Sequence, residues 1–101
     1  MTRKKILWVE DDPDFIAAGR PLLEREGWEV MTTDSAEGGI VLAERFRPDL
    51  IIMDIIMAGE TGYSAVESLK GDPQSARIPI IIFSSVTHLA TTPKPRRRYM
   101  R

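Results

Sequence analysis

Two short apolar runs in this chain each end in acidic residues, and this feature constrains the fold more than any other. Residues 6–9 run into an acidic triplet that begins at Glu10, and residues 50–53 run into Asp54. Short apolar runs bounded by polar residues are typical of strands that are buried on both faces of a parallel sheet. Parallel strands end at the same edge of the sheet, so the two acidic ends are predicted to lie side by side.

Clustered acidic groups at one edge of a sheet have an electrostatic consequence. Three or four neighbouring carboxylates cannot all stay ionised without a counter-charge. A hard divalent cation such as Mg²⁺ supplies that charge and prefers oxygen ligands. The sequence therefore predicts a magnesium site where the two acidic ends meet.

Length and composition fit one globular domain and exclude several other classes. The chain has 101 residues, of which 43% are hydrophobic and 29% charged, and it has no cysteine for a disulfide or a thiolate metal site. Only four apolar residues follow the basic N-terminus, which is too short for a signal peptide, and no apolar run approaches the roughly 20 residues of a membrane span. A cytoplasmic protein without a membrane partner is expected.

The charges are unevenly spread along the chain. Residues 93–101 hold five of the 14 basic groups and no acid, so residues 1–92 carry nine basic against 15 acidic groups. We expect a domain over residues 1–92 and a basic C-terminal tail over 93–101. A solvated tail is favoured over a nucleic-acid-binding one, although tail-mediated binding is kept as a third hypothesis.

The pattern of apolar runs predicts the order β-α-β-α-β-α-β with short connections. Strands alternating with helices predict an α/β fold with a doubly wound parallel sheet, whose ligands bind at the carboxyl ends of the strands. Residues 55–62 are predicted to be a loop, and Asp34 or Ser35 to cap the second helix. Pro21 is predicted to kink or break the first helix. The buried stripe of that helix is expected to hold Phe15, Ile16, Gly19, Leu22 and Leu23.

Three segments together resemble a known family. Residues 6–12 (ILWVEDD), 48–62 (PDLIIMDIIMAGETG) and 78–85 (IPIIIFSS) occur in the order and at the spacing of a bacterial two-component response-regulator receiver domain. The resemblance covers residues 4–90 approximately. It implies a flavodoxin-like receiver fold and a role in signal transduction as a phosphoprotein.

The resemblance also implies roles for individual residues. Asp54 matches the phosphoacceptor, and Glu10 and Asp11 match the acidic pair that binds Mg²⁺ together with Asp54 and the backbone carbonyl of Ile56. Ser84 matches the residue whose hydroxyl contacts the phosphoryl group. The implied donor is a phosphohistidine on a histidine kinase or phosphotransfer protein, so the chain would be a phosphoryl acceptor and no enzyme beyond its own phosphorylation and dephosphorylation.

The chain departs from the family after the fourth predicted strand. The family has a further helix, strand and helix there, and its fifth strand ends in a Lys-Pro pair whose lysine contacts the phosphoryl group. Only 16 residues follow Ser85, too few for a crossover and strand followed by a last helix. Lys94 precedes Pro95 but has no apolar strand before it, so it is a further candidate contact only. We predict a receiver that lacks a regular fifth strand and the last helices.

This shortening leaves alternatives open. An uncovered fourth strand over residues 80–83 would be an apolar edge that invites pairing with another chain. We therefore expect either a homodimer through this edge or marginal stability, and a fragment or frameshifted product is a third interpretation. The alternative function is a degenerate receiver that acts as an interaction or dimerisation module with little phosphorylation.

Overall fold

The computed structural model describes residues 3–54, 56–57, 60–61 and 63–83. The strands are β1 (Lys4–Val9), β2 (Trp28–Thr33), β3 (Leu50–Asp54), β4 (Ile56–Met57), β5 (Glu60–Thr61) and β6 (Ile80–Phe83). The helices are α1 (Pro13–Arg25), α2 (Ala36–Phe46) and α3 (Tyr63–Gly71). The predictions for a missing fifth strand and for the boundary between residues 92 and 93 fall outside the described residues and stay predictions.

Four strands form one parallel sheet, as the sequence predicted, and the structure shows their order to be β2-β1-β3-β6. The chain moves from β1 to one neighbour, β2, and then crosses to the other side of β1 to form β3. The strand order therefore reverses between β1 and β3, and this is the point at which open α/β sheets bind ligands at the carboxyl ends of their strands.

Helices cover both faces of the sheet, because successive side chains of a strand point to opposite faces. On one face, side chains of the strands pack against α2 and α3. The core cluster there consists of Leu7, Val9, Ala36, Ala43, Ile51, Met53, Ala65, Leu69, Ile80 and Ile82. The other face holds Ile6, Trp8 and Val30, against which Ile16 and Leu23 of α1 pack. The doubly wound arrangement is confirmed.

Helix α1 has a capped first turn, and it buries fewer side chains than predicted. Asp12 is its N-cap and accepts the N–H of Asp14 at 3.0 Å, and Pro13 is the first helical residue, where its missing N–H costs nothing. The expected buried stripe is partly wrong, because Phe15 and Leu22 are 44% and 55% exposed. They lie at the margins of the apolar face.

Two further features of α1 concern its proline and its glycine. The helix runs without a break past Pro21, so of the predicted kink or break the break does not occur and the kink stays a prediction. A proline inside a helix costs one backbone hydrogen bond. Gly19 allows close packing on the sheet, because a Cβ there would lie 2.7 Å from Cη2 of Trp8.

Helix α2 is capped at both ends. Of the two predicted caps, Ser35 is the one used, and its Oγ accepts the N–H of Gly38 at 2.9 Å. That position is the third of the helix, so Glu37 stands one residue too early for a capping box. Arg47 closes the helix in a left-handed conformation with φ of 54°.

The predicted loop over residues 55–62 contains a short hairpin, which corrects that prediction. Ile56 pairs with Thr61 and Met57 with Glu60 in an antiparallel ladder. Strands of two residues have too few positions to show an alternating pattern, so the sequence carried no signal for them. No helix among the described residues is both long and apolar enough to cross a lipid bilayer.

Candidate metal site

The strand register brings two of the predicted acids to the same point. Val9 pairs with Met53, the last aligned pair of β1 and β3, so Glu10 and Asp54 come next in the two strands. The N–H of Glu10 donates to the carbonyl of Thr33 at 2.9 Å, which keeps the residue in line with β1. Both Glu10 and Asp54 are 1% exposed.

Asp11 completes a cluster of three acids. One carboxylate oxygen from each of Glu10, Asp11 and Asp54 lies within 4.8 Å of the other two. Asp11 is half-buried and lies between the end of β1 and the N-cap of α1. The expectation that the acidic ends of the two strands meet at one edge is confirmed.

Burial and a neighbouring charge strongly raise the pKa of the Glu10 carboxyl. Loss of solvent, followed by repulsion from Asp54, raises the pKa of the Glu10 carboxyl from 4.5 to about 8. The N–H of Asp12 donates to Oε2 of Glu10 at 3.1 Å and opposes this rise in pKa. Without a cation, Glu10 therefore holds a proton near neutral pH.

The same carboxyl group supplies an argument for a bound cation. Oε1 of Glu10 is buried and has no hydrogen-bond partner among the described residues, although buried polar atoms usually have one. The neighbouring side chains in the cluster are carboxylates, which accept hydrogen bonds but donate none when ionised. A cluster of three carboxylates, one of which has an unsatisfied buried oxygen, fits a hard divalent cation such as Mg²⁺.

The roles of the remaining predicted site residues are not tested by the structure. Ile56 lies in β4, two residues after Asp54, and its assignment as a carbonyl ligand stays a prediction. Ser84 and Lys94 lie outside the described residues, so their contacts with a phosphoryl group also stay predictions. Asp12 and Asp14 belong to the start of α1, where the helix dipole favours acidic residues.

Sequence reasoning missed the contribution of β2 to the site. A cavity of about 390 Å³ lies beside the cluster and is lined by Glu10, Ile16, Thr32, Thr33 and Asp34. The polar run that ends β2 at Thr32-Thr33-Asp34 was the available signal, because it marks a third strand ending at the same edge. The cavity gives the cluster an open polar side.

Comparison with known proteins identifies relatives of this chain. The family model described as response regulator receiver domain matches residues 6–94. Protein PilH of Pseudomonas aeruginosa is 33% identical over 81 residues, which cover 80% of this chain and 67% of PilH. The polar-differentiation response regulator DivK of Brucella anthropi is 35% identical over 78 residues, or 77% of this chain and 63% of DivK. The chain thus spans about two thirds of the length of these relatives.

Solved structures show the same fold. The receiver domain of the sensor histidine kinase PA1611 from Pseudomonas aeruginosa, with a magnesium ion coordinated in its active-site cleft, superposes with a TM-score of 0.75 at 31% identity. That match covers 80% of this chain and 66% of the other. The N-terminal domain of a response regulator receiver protein from Methanoculleus marisnigri gives a TM-score of 0.73 at 32% identity, covering 77% and 63%.

Proposed function

Because the chain belongs to the response regulator receiver family, a family of two-component signalling proteins, we propose that it accepts a phosphoryl group on Asp54 in a Mg²⁺-dependent reaction. The observation that carries this proposal is the three-acid cluster, in which oxygens of Glu10, Asp11 and Asp54 lie within 4.8 Å of one another at the switch point of the sheet. The chain is then an acceptor that promotes only its own phosphorylation and dephosphorylation.

The proposed reaction moves one phosphoryl group between two side chains. An oxygen of the Asp54 carboxylate attacks the phosphorus of a phosphohistidine, the P–N bond breaks, and the histidine of the donor leaves as a neutral imidazole after taking up a proton. The product on this chain is an acyl phosphate. Bound Mg²⁺ supplies positive charge that offsets the repulsion between the carboxylate and the phosphoryl oxygens.

The protein's own residues prepare Asp54 for this role. Asp54 ends β3 and is 1% exposed, so the sheet holds its carboxylate in place beside Glu10 and Asp11. Glu10 and Asp11 are the proposed metal ligands, and Glu10 must lose its proton before it binds the metal. In this proposal the backbone carbonyl of Ile56 completes the metal shell, and Ser84 contacts the phosphoryl group.

The proposed partner is a histidine kinase or a phosphotransfer protein, which carries the phosphohistidine. This donor is made from ATP, so a cytoplasmic location belongs to the same proposal. The acidic cluster does not favour nucleic acid, whose phosphates it would repel. Output through protein contacts is proposed for the phosphorylated chain.

Phosphorylation is tested with acetyl phosphate and Mg²⁺, followed by intact-protein mass spectrometry. We expect a gain of one phosphoryl group that is lost with Asp54→Asn and with EDTA. Asp12→Asn is the matched control, since it makes the same chemical change at the same edge and asparagine is an equally good N-cap. Modification that survives in Asp54→Asn would refute the assignment of the acceptor.

A second candidate function is an interaction module that is not phosphorylated. The exposed apolar residue Ile81 favours it, because its strand β6 is an edge of the sheet among the described residues and such an edge is suited to pairing with another chain. Absence of any mass gain in the folded wild-type protein would favour this second function.

A further inference from the structure

Two consecutive glycines lie in the first turns of α2, close to the strand ends that carry the acidic cluster. Gly38 and Gly39 are the third and fourth residues of this helix, which has 11 residues. Glycine is among the least favourable residues in a helix, because it loses the most backbone freedom and adds no side-chain contact. Two glycines side by side in a short helix therefore indicate a position where the backbone must come close to another element.

Each glycine packs on one residue of the last aligned pair of β1 and β2. This pair is formed by Val9 and Thr33. A Cβ at Gly39 would lie 2.9 Å from Cγ2 of Val9, well inside the roughly 3.5–4.0 Å at which two carbon atoms attract each other. A Cβ at Gly38 would collide with Oγ1 of Thr33. Neither position therefore has room for a side chain.

The same pair of strand residues fixes the backbone of Glu10. Val9 is bonded directly to Glu10, and the carbonyl of Thr33 accepts the N–H of Glu10 at 2.9 Å. The peptide between Val9 and Glu10 is thus held by its own strand on one side and by β2 on the other. Since α2 packs on both residues through its glycines, it helps to set where this peptide lies.

The position of this peptide matters because of the side chain that Glu10 carries. Its carboxyl is 1% exposed and belongs to the three-acid cluster, and its Oε1 has no hydrogen-bond partner among the described residues. Mg²⁺ requires oxygen ligands in near-ideal octahedral geometry at about 2.0–2.1 Å. A small shift of the Glu10 backbone would therefore move a ligand out of the range that the ion accepts.

We propose that Gly38 and Gly39 are positioning residues for the metal site, because they let α2 pack on Val9 and Thr33 and so fix the backbone of Glu10. The glycines have no side chain with which to bind a metal, so their effect passes through these two strand residues. The proposal rests on the Mg²⁺-dependent function proposed above.

A methyl group at position 39 is expected to displace backbone and not only a side chain. Val9 is β-branched, has restricted rotamers and is 0% exposed, so its Cγ2 has no free space into which to turn. The close contact between Gly19 and Trp8 is of another kind. The atom that a Cβ at Gly19 would meet is Cη2, at the far edge of an indole ring that can tilt about its side-chain bonds.

Calorimetric titration of the full chain with Mg²⁺ tests the proposal, at a temperature at which every variant is folded. Gly39→Ala should raise the Kd for Mg²⁺ by about 10-fold, a loss typical of changes to residues that orient metal ligands. Gly19→Ala is the matched control, because it makes the same substitution against the neighbouring residue of β1, Trp8. This control should lose stability but keep a Kd close to that of the wild type.

A rescue variant separates displacement of Glu10 from a general loss of structure. Val9→Ala removes Cγ2 and leaves a cavity below α2, so it should also weaken Mg²⁺ binding. The double variant, Val9→Ala with Gly39→Ala, places a methyl group in that cavity and should bind Mg²⁺ more tightly than either single variant. Should Gly39→Ala fail to fold, the comparison of Val9→Ala with the double variant tests the proposal by itself.

Hydrogen exchange in EDTA gives a second readout that needs no metal. The amide of Glu10 should exchange faster in Gly39→Ala than in Gly19→Ala, because its hydrogen bond to Thr33 is loosened only in the first.

Three results would overturn the proposal alone: a Kd that Gly39→Ala leaves unchanged, equal exchange of the Glu10 amide in the two variants, or a double variant that binds no better than Val9→Ala. Absence of Mg²⁺ binding in the wild-type protein would instead refute the proposed function and this proposal together.

Discussion

At the scale of single residues, Glu10 carries the most unusual chemistry of the described chain. Its carboxyl is buried next to Asp54, and its pKa is raised to about 8 by loss of solvent and by that neighbour's charge. Without a metal the protonated form of Glu10 is favoured, whereas a bound metal would favour the ionised form. Binding of the proposed cation would therefore release the proton of Glu10.

This coupling predicts how stability depends on pH in the absence of metal. Glu10 binds its proton more tightly in the folded than in the unfolded chain, so its contribution is complete below about pH 4.5 and is lost as pH rises through about 8. In EDTA, urea unfolding should show wild-type stability falling over this window by on the order of 3 kcal/mol.

Glu10→Gln supplies the comparison for that measurement. Glutamine keeps the size of the side chain and cannot ionise, so the variant should lose most of the wild-type decline between pH 5 and 8. Equal slopes in the two proteins would show that Glu10 is ionised throughout and would contradict the raised pKa.

The sequence located the acids of the cluster and predicted that they could not all stay ionised, but it did not identify Glu10 as the one whose pKa is raised. Glu10, Asp11 and Asp54 were identified because apolar runs of strand length precede them, and the register confirms their meeting. The raised pKa of Glu10 depends on how completely the chain excludes water from its carboxyl, and no local pattern reports that. The backbone contacts from Thr33 and Asp12 are likewise products of folding.

At the scale of secondary-structure elements, α1 shows where pattern reasoning succeeds and fails. Its start at Pro13 followed from local chemistry, since an N-cap acid and a first-turn proline act within a few residues. Its buried face depends on how the helix is rotated on the sheet, and Phe15 and Leu22 ended up largely exposed. Gly19 shows what sets that rotation, because it packs directly on Trp8.

The contact between α1 and β1 gives a prediction that runs against helix propensity. Alanine is the better helix former by about 1 kcal/mol, yet Gly19→Ala should destabilise the protein by about 1–3 kcal/mol, because its Cβ would lie 2.7 Å from Trp8. Chemical denaturation measures this difference. Gly71→Ala is the matched control, since a Cβ there meets nothing within 4 Å, and its effect should be neutral or slightly stabilising. Equal effects of the two substitutions would contradict the packing argument.

At the scale of the whole molecule, opposite charges collect at the two ends of the sheet. The carboxyl ends of β1 and β3 carry the acidic cluster. A cavity of about 350 Å³ at the amino ends of the same strands is lined by Arg3, Lys4, Lys5, Arg47 and Asp49. The end of α2 lies there, and its dipole favours cations. A bound cation should reduce the repulsion between the carboxylates of the acidic cluster.

This relief predicts that Mg²⁺ stabilises the entire domain. A ligand that binds only the folded state adds about 2.7 kcal/mol at 100 times its Kd, which should raise the Tm by roughly 10–20 °C in a chain of this size. Thermal unfolding with Mg²⁺ and with EDTA measures the shift. Asp11→Asn should lose most of it and Asp12→Asn should retain it, whereas an unchanged wild-type Tm would refute the metal site.

The close approach of Gly19 to Trp8 also affects how this sequence can change over generations. A side chain at position 19 has no room while the indole occupies the space, so a larger residue there becomes acceptable only after residue 8 has become smaller. That order leaves a cavity first and fills it second, whereas the reverse order begins with a steric clash, so each single step is worse than the pair. Relatives should therefore exchange bulk between these two positions, with a small residue opposite a large one.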